Sequence, residues 1–438
     1  MSIARFFGLS EHKTSVRTEL VAGLTTFLTM AYIILVNPAI LSQTGMPIAA
    51  IAAATCISAG VASILMGLFA NYPLALAPGM GLNAYFTFSV VKGMGVPWPV
   101  ALGCVFISGC CFLILTVAGV RQLIVNAIPR PLFAAVAGGI GLFIAFIGFK
   151  DAGIIVSDVA TTVALGNLKS PMPALALGGL VLIAVLSAWR VRGAVLIGIL
   201  GVSAVAWALH LVSFTPQAYS FSQLTQTMGA LDIKGAFNLG GKAGFGIIEV
   251  IFVFLFVDLF DNVGTLVAVS QKAGLIDEDG RIPRLNRILT ADSIATIFGS
   301  FLGTSTVTSY IESAAGVEAG GRTGLTAITT GVLFLLAVFV APYAQLIPAA
   351  ATAPALIIVG SMMMKPLTTI DWDDPVVAIP AFLTLIGIPL TFSIANGLAF
   401  GITAYALLKL LRGQAKWSDA LLLALAGLFV LRFLYLSA

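Results

Sequence analysis

Residues 251–269 read IFVFLFVDLFDNVGTLVAV, an apolar run long enough to cross a bilayer yet carrying Asp258 and Asp261. Residues 303–321 read GTSTVTSYIESAAGVEAGG: short, Gly-broken and rich in hydroxyls, with Glu312 at the centre. A charge at mid-membrane depth costs about 2.5–3.5 kcal/mol on insertion scales, so it faces a cavity, a partner or a proton path. Interrupted backbone is tolerated at that depth only where protein covers it or where it lines a cavity. Together the two segments predict the binding site of a membrane transporter.

Composition sets the solvent. The 438 residues are 59% hydrophobic and 9% charged, against about 25% charged in soluble domains. The apolar runs recur from Val21 to Leu436 without a long soluble insert, which predicts one integral membrane unit over residues 1–438. The net charge of +4 carries no expectation of nucleic acid, because the basic residues cluster in short loops. Cys56, Cys104, Cys110 and Cys111 lie in apolar runs and read as small buried hydrophobes; their spacing fits neither a metal site nor a disulfide framework. The N-terminal stretch has no apolar core ending at a small-residue cleavage site, so no signal peptide is expected. Phe6, Phe7 and Leu9 beside Arg5, Lys13 and Arg17 predict an interfacial cytoplasmic stretch.

Hydropathy places spans near 21–42, 47–69, 73–91, 97–119, 131–149, 172–189, 193–213, 246–271, 287–303, 304–320, 324–341, 351–366, 375–391 and 395–412, fourteen in all. The stretch Ala420–Leu436, interrupted by Arg432, is either a late extra span or a helix lying along the surface, with the surface favoured. With the N-terminus inside, sixteen basic residues are cytoplasmic and five are outside: Lys92, Lys150, Lys169, Lys234 and Lys242. That bias puts both termini in the cytoplasm and the chain in the cytoplasmic (inner) membrane.

The halves echo each other. Ile128–Pro129 before a long span and Phe149-Lys150-Asp151 matches Ile347–Pro348 before a span and Met364-Lys365-Pro366. YPLALAPGMGLNAYF (72–86) holds the place in the first half that the Glu312 segment holds in the second. Seven spans per half turn the second copy upside down, an inverted repeat. In such folds a matched pair of short, Gly/Pro-broken segments marks the site, here Tyr72–Val90 and Thr304–Gly320.

Asp258, Asp261 and Thr265 fall on one helical face, with Asn262 and Gly264 beside them; Gly264 is expected to admit a close backbone. A carboxylate such as Asp258 can equally hold helices together by pairing with another polar group. Glu312 has no Lys, Arg or His in the neighbouring apolar runs, so a protonated carboxyl, bonding a polar solute or titrating with transport, is the expectation. Asn83, Asn37, Thr25, Thr26 and Thr29 add neutral polar groups that also serve as packing glue. Asp292 heads the ninth span as a helix-end acid or a functional one. Arg322 reads as a cytoplasmic anchor. His12 and His210 fall at span edges, outside any central proton relay. GMGLNA and GVEAGG lack the strand and lysine of a phosphate loop, and nothing resembles a hydrolytic triad or a metal cluster, so no enzyme is expected.

Four stretches carry a resemblance: GLTTFLTMAYIILVNPAIL, ALAPGMGLNAYF, FVDLFDNVGTLVAVS and GTSTVTSYIESAAGVEAGGRTGL. Over nearly the whole chain the sequence resembles the azaguanine-resistance branch of the nucleobase–ascorbate transporter family, the permeases for adenine or for guanine and hypoxanthine. The resemblance implies an all-α polytopic fold of fourteen spans in a seven-plus-seven inverted repeat, with short strands in broken spans three and ten. It implies a core domain from 21–119 and 246–341 and a gate domain from 131–213 and 351–412.

By motif, Asp261 matches the acid that binds the nucleobase ring, and Glu312 the acid that completes the pocket. Thr265 lines the same site one turn on, and Tyr310–Ile311 match the strand whose backbone meets the base. Gly79 and Met80 match the facing strand, and Thr29 the first-span wall. The chain has Asp where the uracil-transporting branch has Glu, and Thr where that branch has His; the shorter acid leaves room for a two-ring purine. The implied function is proton-coupled symport of purine nucleobases (adenine, guanine, hypoxanthine or xanthine), with no cofactor beyond protons. Asp261, Glu312, Asp258 and Asp292 are the candidate proton-coupling acids, and lipid and a second copy of the chain the further expected partners. An anion exchanger of the related sulfate-permease architecture is the alternative, disfavoured by two mid-membrane acids. A channel is a third class, for which no ring of filter residues is visible.

Overall fold

The computed structural model describes residues 3–119, 129–212, 222, 225–237, 243–276, 282–414 and 419–435, and in these the chain is mostly helical. The first span is α1 (Val16–Met30) and α2 (Ile33–Leu41), joined by a tight turn at Ala31–Tyr32. Thr25 and Thr29 hydroxyls bond back to α1 carbonyls, and Pro38 removes an N–H from α2; both are causes of helix bending. After α3 (Ile48–Leu65), Pro73 and Pro78 cannot continue a helix ladder, and the chain runs extended as β1 (Leu76–Pro78). It then coils into α4 (Met80–Ala84), which widens and runs on to Gly93. Next come α5 (Trp98–Val117) and α6 (Arg130–Asp151), a hairpin of β2 (Ile155–Asp158) and β3 (Thr162–Leu165), then α7 (Pro171–Ala188) and α8 (Ala194–Ala208).

The second half opens with α9 (Ile233–Phe237), the long α10 (Ala243–Ala273) and α11 (Leu285–Leu302). The β-branched run after Gly303 forms β4 (Val307–Ser309) and turns into α12 (Ser313–Glu318). The chain finishes with α13 (Gly324–Ala337), extended by tighter turns to Leu346, α14 (Ala349–Met362), α15 (Pro375–Thr391), α16 (Ile394–Leu411) and α17 (Ala420–Tyr435).

Among the described residues nine helices are long and apolar enough to cross a membrane, which makes this a multi-pass membrane protein. Spans seven and thirteen of the hydropathy map are the shorter apolar helices α8 and α15, and span nine is α11. Spans three and ten are not continuous helices. Each is a strand leading into a short helix, and the strands pair antiparallel, Leu76 with Ser309 and Pro78 with Val307. Gly79 N donates to Thr306 O at 2.9 Å and Tyr310 N to Ala75 O at 3.0 Å, so the ribbon's backbone groups are satisfied beyond both strand ends. Side chains from flanking helices complete it. Ser63 on α3 donates to Leu76 O at 3.2 Å and accepts from Leu76 N; Thr296 on α11 donates to Val307 O at 2.9 Å.

Helix packing follows a paired plan. α3 lies on α13 as α5 lies on α11; α6 packs on α14; and α15 with α16 mirrors α7 with α8. Small residues make the closest approaches, as expected where helices pack without a hydrophobic drive between them. A Cβ added at Gly141 would meet Gly360 O at 2.6 Å, and one at Gly360 would meet Gly141 O in turn.

Several expectations need correction. The β2–β3 hairpin lies outside an all-α plan: the β-branched run from Ile154 to Val163 favours strand, and Asp158 closes its turn by accepting from Ala160 N and Thr161 N, both at 2.9 Å. Residues 420–435 form a helix that packs on α16 by one face. Leu422, Ala426 and Phe429 are buried, Phe433 stacks on Phe400 at 5.5 Å, and Phe429 meets Phe252 of α10. Gly264 meets nothing within 4 Å of where a Cβ would stand, so it admits no close backbone. Among residues singled out in the sequence, Ile128, Lys242 and Leu436 lie outside the described residues.

Candidate functional site

The ribbon brings the two membrane acids to one place. Asp261 comes from α10 and lies against the end of β1: its Oδ2 would be 3.8 Å from a Cβ on Gly79, and Thr308 Cγ2 3.0 Å from the same point. Glu312 follows β4 at the start of α12 and accepts a hydrogen bond from the Tyr32 hydroxyl at 2.7 Å. Both carboxyls are half-buried. Asp261, Glu312, Tyr310 and Tyr32 lie within electrostatic reach of one another. Tyr310 is fixed by its hydroxyl, which donates to Pro78 O at 2.5 Å.

The remaining candidates divide. Thr265 is buried one helical turn beyond Asp261, and Asp258 is buried one turn before it. Gly79 caps α4 and Met80 opens it, just past the strand rather than in it; Tyr310 and Ile311 likewise follow β4. Ile311 is 49% exposed, whereas Tyr310 is buried. Asn83 is held by the ribbon: its Oδ1 accepts from Ser305 Oγ, and its Nδ2 reaches Pro78 O at 3.5 Å. Thr29 donates to Thr26 O at 2.8 Å and Thr25 O at 3.1 Å, within its own helix. Asp292 does not head its helix. α11 begins at Leu285, so Asp292 is well inside it and fully buried, in the helix that packs on α3, α5 and β4.

Two glycines of the broken segments serve packing rather than a ligand. A Cβ on Gly81 would overlap Ile140 of α6, and one on Gly316 would overlap Thr26 Oγ1 and come within 2.7 Å of Ala22 O of α1. Gly79 alone of the three faces a candidate acid. Thr308, buried beside Gly79, has no hydrogen-bond partner for its hydroxyl among the described residues, and neither amide atom of the fully buried Asn262 has one. Buried polar groups are almost always satisfied, so a hydroxyl left over beside the Asp261 carboxyl suits a polar, hydrogen-bonding solute. Among the described residues no cluster of His, Cys, Asp and Glu could hold a metal ion.

Sequence reading missed two groups. Tyr32 lies within the quoted first-span motif, but nothing local distinguishes it from a core aromatic. Glu19 is fully buried at the start of the helix after the broken segment: it accepts from Arg322 N at 2.9 Å, Thr326 N at 3.2 Å and Thr326 Oγ1 at 2.6 Å. Arg322 in turn donates to Val317 O and Gly321 O, both at 2.7 Å, so it closes the end of α12 as well as standing at the boundary.

The fold is shared with anion transporters: the transmembrane domain of the cyanobacterial bicarbonate transporter BicA superposes with a TM-score of 0.64 over 89% of this chain and 97% of that one, at 14% identity. SLC26A9 superposes with a TM-score of 0.63 over 91% of this chain and 66% of that one, at 12% identity. At such identity the likeness establishes architecture alone. Sequence relatives are much nearer. A Methanocaldococcus jannaschii protein named only as a permease is 50% identical over 99% of both chains. The guanine/hypoxanthine permease PbuG of Bacillus subtilis is 45% identical over 99% of both, and the adenine permease AdeP of Escherichia coli is 44% identical over 100% of this chain and 97% of its own. Residues 17–400 match the model of the xanthine/uracil type described as the permease family. The chain therefore belongs to the nucleobase–ascorbate transporter family, whose members named as adenine and guanine/hypoxanthine permeases are among its near relatives.

Proposed function

We propose that this protein carries purine nucleobases, adenine, guanine, hypoxanthine or xanthine, into the cell with protons by alternating access across the cytoplasmic membrane. The observation that carries the reading is the meeting of Asp261 and Glu312 at the end of the strand ribbon, beside the unpartnered Thr308 hydroxyl. A purine offers N–H donors and ring or carbonyl acceptors on different edges, which two carboxyls from different elements can hold in one orientation. Among the described residues no basic side chain is paired with either acid, which leaves a proton as the natural counter-charge. We assign Asp261, Glu312, Thr265, Tyr310, Ile311, Gly79 and Met80 to the substrate site. Coupling falls to Asp261 or Glu312, with Asp258 and Asp292 behind them. Thr29 and Asn83 complete the set at its walls.

The same reading takes fourteen crossings as two inverted sets of seven, with a core from 21–119 and 246–341 moving against a gate from 131–213 and 351–412. Its support is the paired packing plan and the reciprocal contact of Gly141 and Gly360. Gly141 lies twelve residues beyond Pro129 and Gly360 twelve beyond Pro348, so residues at equivalent positions touch each other, as they do on a two-fold axis. The positive-inside bias supports cytoplasmic termini.

An anion exchanger shares this architecture, but two carboxyls at the site repel an anionic solute. Uptake of labelled adenine, guanine and hypoxanthine into a bacterium lacking its own purine permeases tests the proposal, with sulfate as control. Purine uptake that rises as external pH falls and collapses with a protonophore is the expected result. Sulfate uptake without purine uptake, or strict dependence on sodium, would count against it.

A further inference from the structure

We infer that Tyr32 is a positioning residue for transport, fixing which oxygen of Glu312 faces the solute; the inference rests on the purine reading above. The ring of Tyr32 is buried at 2% exposure in the turn between α1 and α2. Its backbone is committed there, with Leu35 N and Val36 N both bonding to Tyr32 O at 3.0 Å, so the side chain leaves from a fixed point. Its hydroxyl donates to Glu312 Oε1 at 2.7 Å, and among the described residues no other side chain is hydrogen-bonded to that carboxylate.

A phenol has one proton to give. Given to Oε1, it removes that oxygen as the freer acceptor and turns Oε2 outward. A half-buried carboxylate without this contact can rotate about its last torsion, which is broad. The bond also crosses the repeat, from the first span to the broken segment of the second half, so it aligns Glu312 with the opposite wall instead of with its own helix. A phenylalanine would keep the ring's volume and lose only the donor.

The test is a double-mutant cycle in the full chain, with Tyr32→Phe, Glu312→Gln and the double variant assayed for labelled adenine or guanine uptake at matched surface abundance. Tyr32→Phe is expected to raise KM about tenfold to a hundredfold, the size of one lost hydrogen bond to a charged group. On the Glu312→Gln background, where the amide oxygen still accepts but is neutral, the effect is expected to fall to about fivefold or less. Unchanged KM in Tyr32→Phe, or the same fold-change on both backgrounds, would overturn the inference while leaving purine transport standing. Absence of purine uptake by the wild type would instead overturn the functional reading and this inference with it. Should Tyr32→Phe accumulate poorly, purine-dependent thermal protection of the four purified proteins gives the same comparison per folded molecule.

Discussion

Gly141 of α6 and Gly360 of α14 meet reciprocally, each occupying the space that a Cβ on the other would need. Neither glycine is required by its backbone conformation; each is required by the other's carbonyl. The contact holds together the two helices that follow the Ile–Pro pairs of the two halves.

Gly360→Ala should therefore force α6 and α14 apart, with a loss of about 1–3 kcal/mol, the range for overpacking a fitted interior. Gly141→Ala should lose a similar amount, and the double variant less than the sum, because both substitutions spoil one contact. Fluorescence-detected thermal unfolding in detergent measures all three. Independent, additive losses would show that the glycines do not share a contact.

Asp261→Asn should abolish purine uptake while expression persists. An amide cannot ionise, and its fixed pattern of donor and acceptor differs from that of either carboxyl state. The measurement is uptake at matched surface abundance. Wild-type uptake by this variant would remove Asp261 from the site.

Much of this was legible in the sequence, and the reason is the membrane. Charges and broken helices are costly in lipid, so Asp261, Glu312 and the Pro- and Thr-rich segments stand out from an otherwise apolar chain. What stayed hidden depends on partners remote in sequence. Glu19 looks like a surface acid until Thr326, 307 residues away, is seen bonded to it. Tyr32 looks like a core aromatic until Glu312 is placed 280 residues on. Gly81 and Gly316 flank candidate site residues in the sequence; only their neighbours, Ile140 and Thr26, show that they pack helices. Asp292 reads as a helix-end acid because the charged turn before it resembles a loop, yet α11 already begins at Leu285.

The β2–β3 hairpin gives a pH prediction outside the membrane. Thr161 N, the Thr161 hydroxyl and Ala160 N all donate to Asp158 and hold its carboxyl below the ordinary value of 3.8. A depressed folded pKa means the turn's contribution is complete above that ordinary value and is lost only as pH falls through the lower folded one. Asp158→Ala should accordingly expose the hairpin to limited proteolysis at neutral pH, where the wild type resists. Equal cleavage of both proteins at pH 7 would show that the turn does not depend on this carboxylate.

Glu312→Gln is the sharpest test of the site. In the structure Glu312 reaches the Asp261 carboxyl electrostatically across the end of the ribbon and bonds to Tyr32 from the first span, so three separate elements converge on it. The amide keeps the side chain's size and its acceptor oxygen, which can still take the Tyr32 hydroxyl. What it loses is the second acceptor oxygen and the ability to exchange a proton. A purine N–H left without its acceptor in a dry site costs about 1–3 kcal/mol. Binding should therefore weaken about tenfold or more, at 1.4 kcal/mol per decade, and the acid stimulation of uptake should flatten if Glu312 carries the coupled proton. Competition by unlabelled purine measures the first effect and uptake against external pH the second. Unaltered affinity together with an unaltered pH profile would place Glu312 outside the transport pathway.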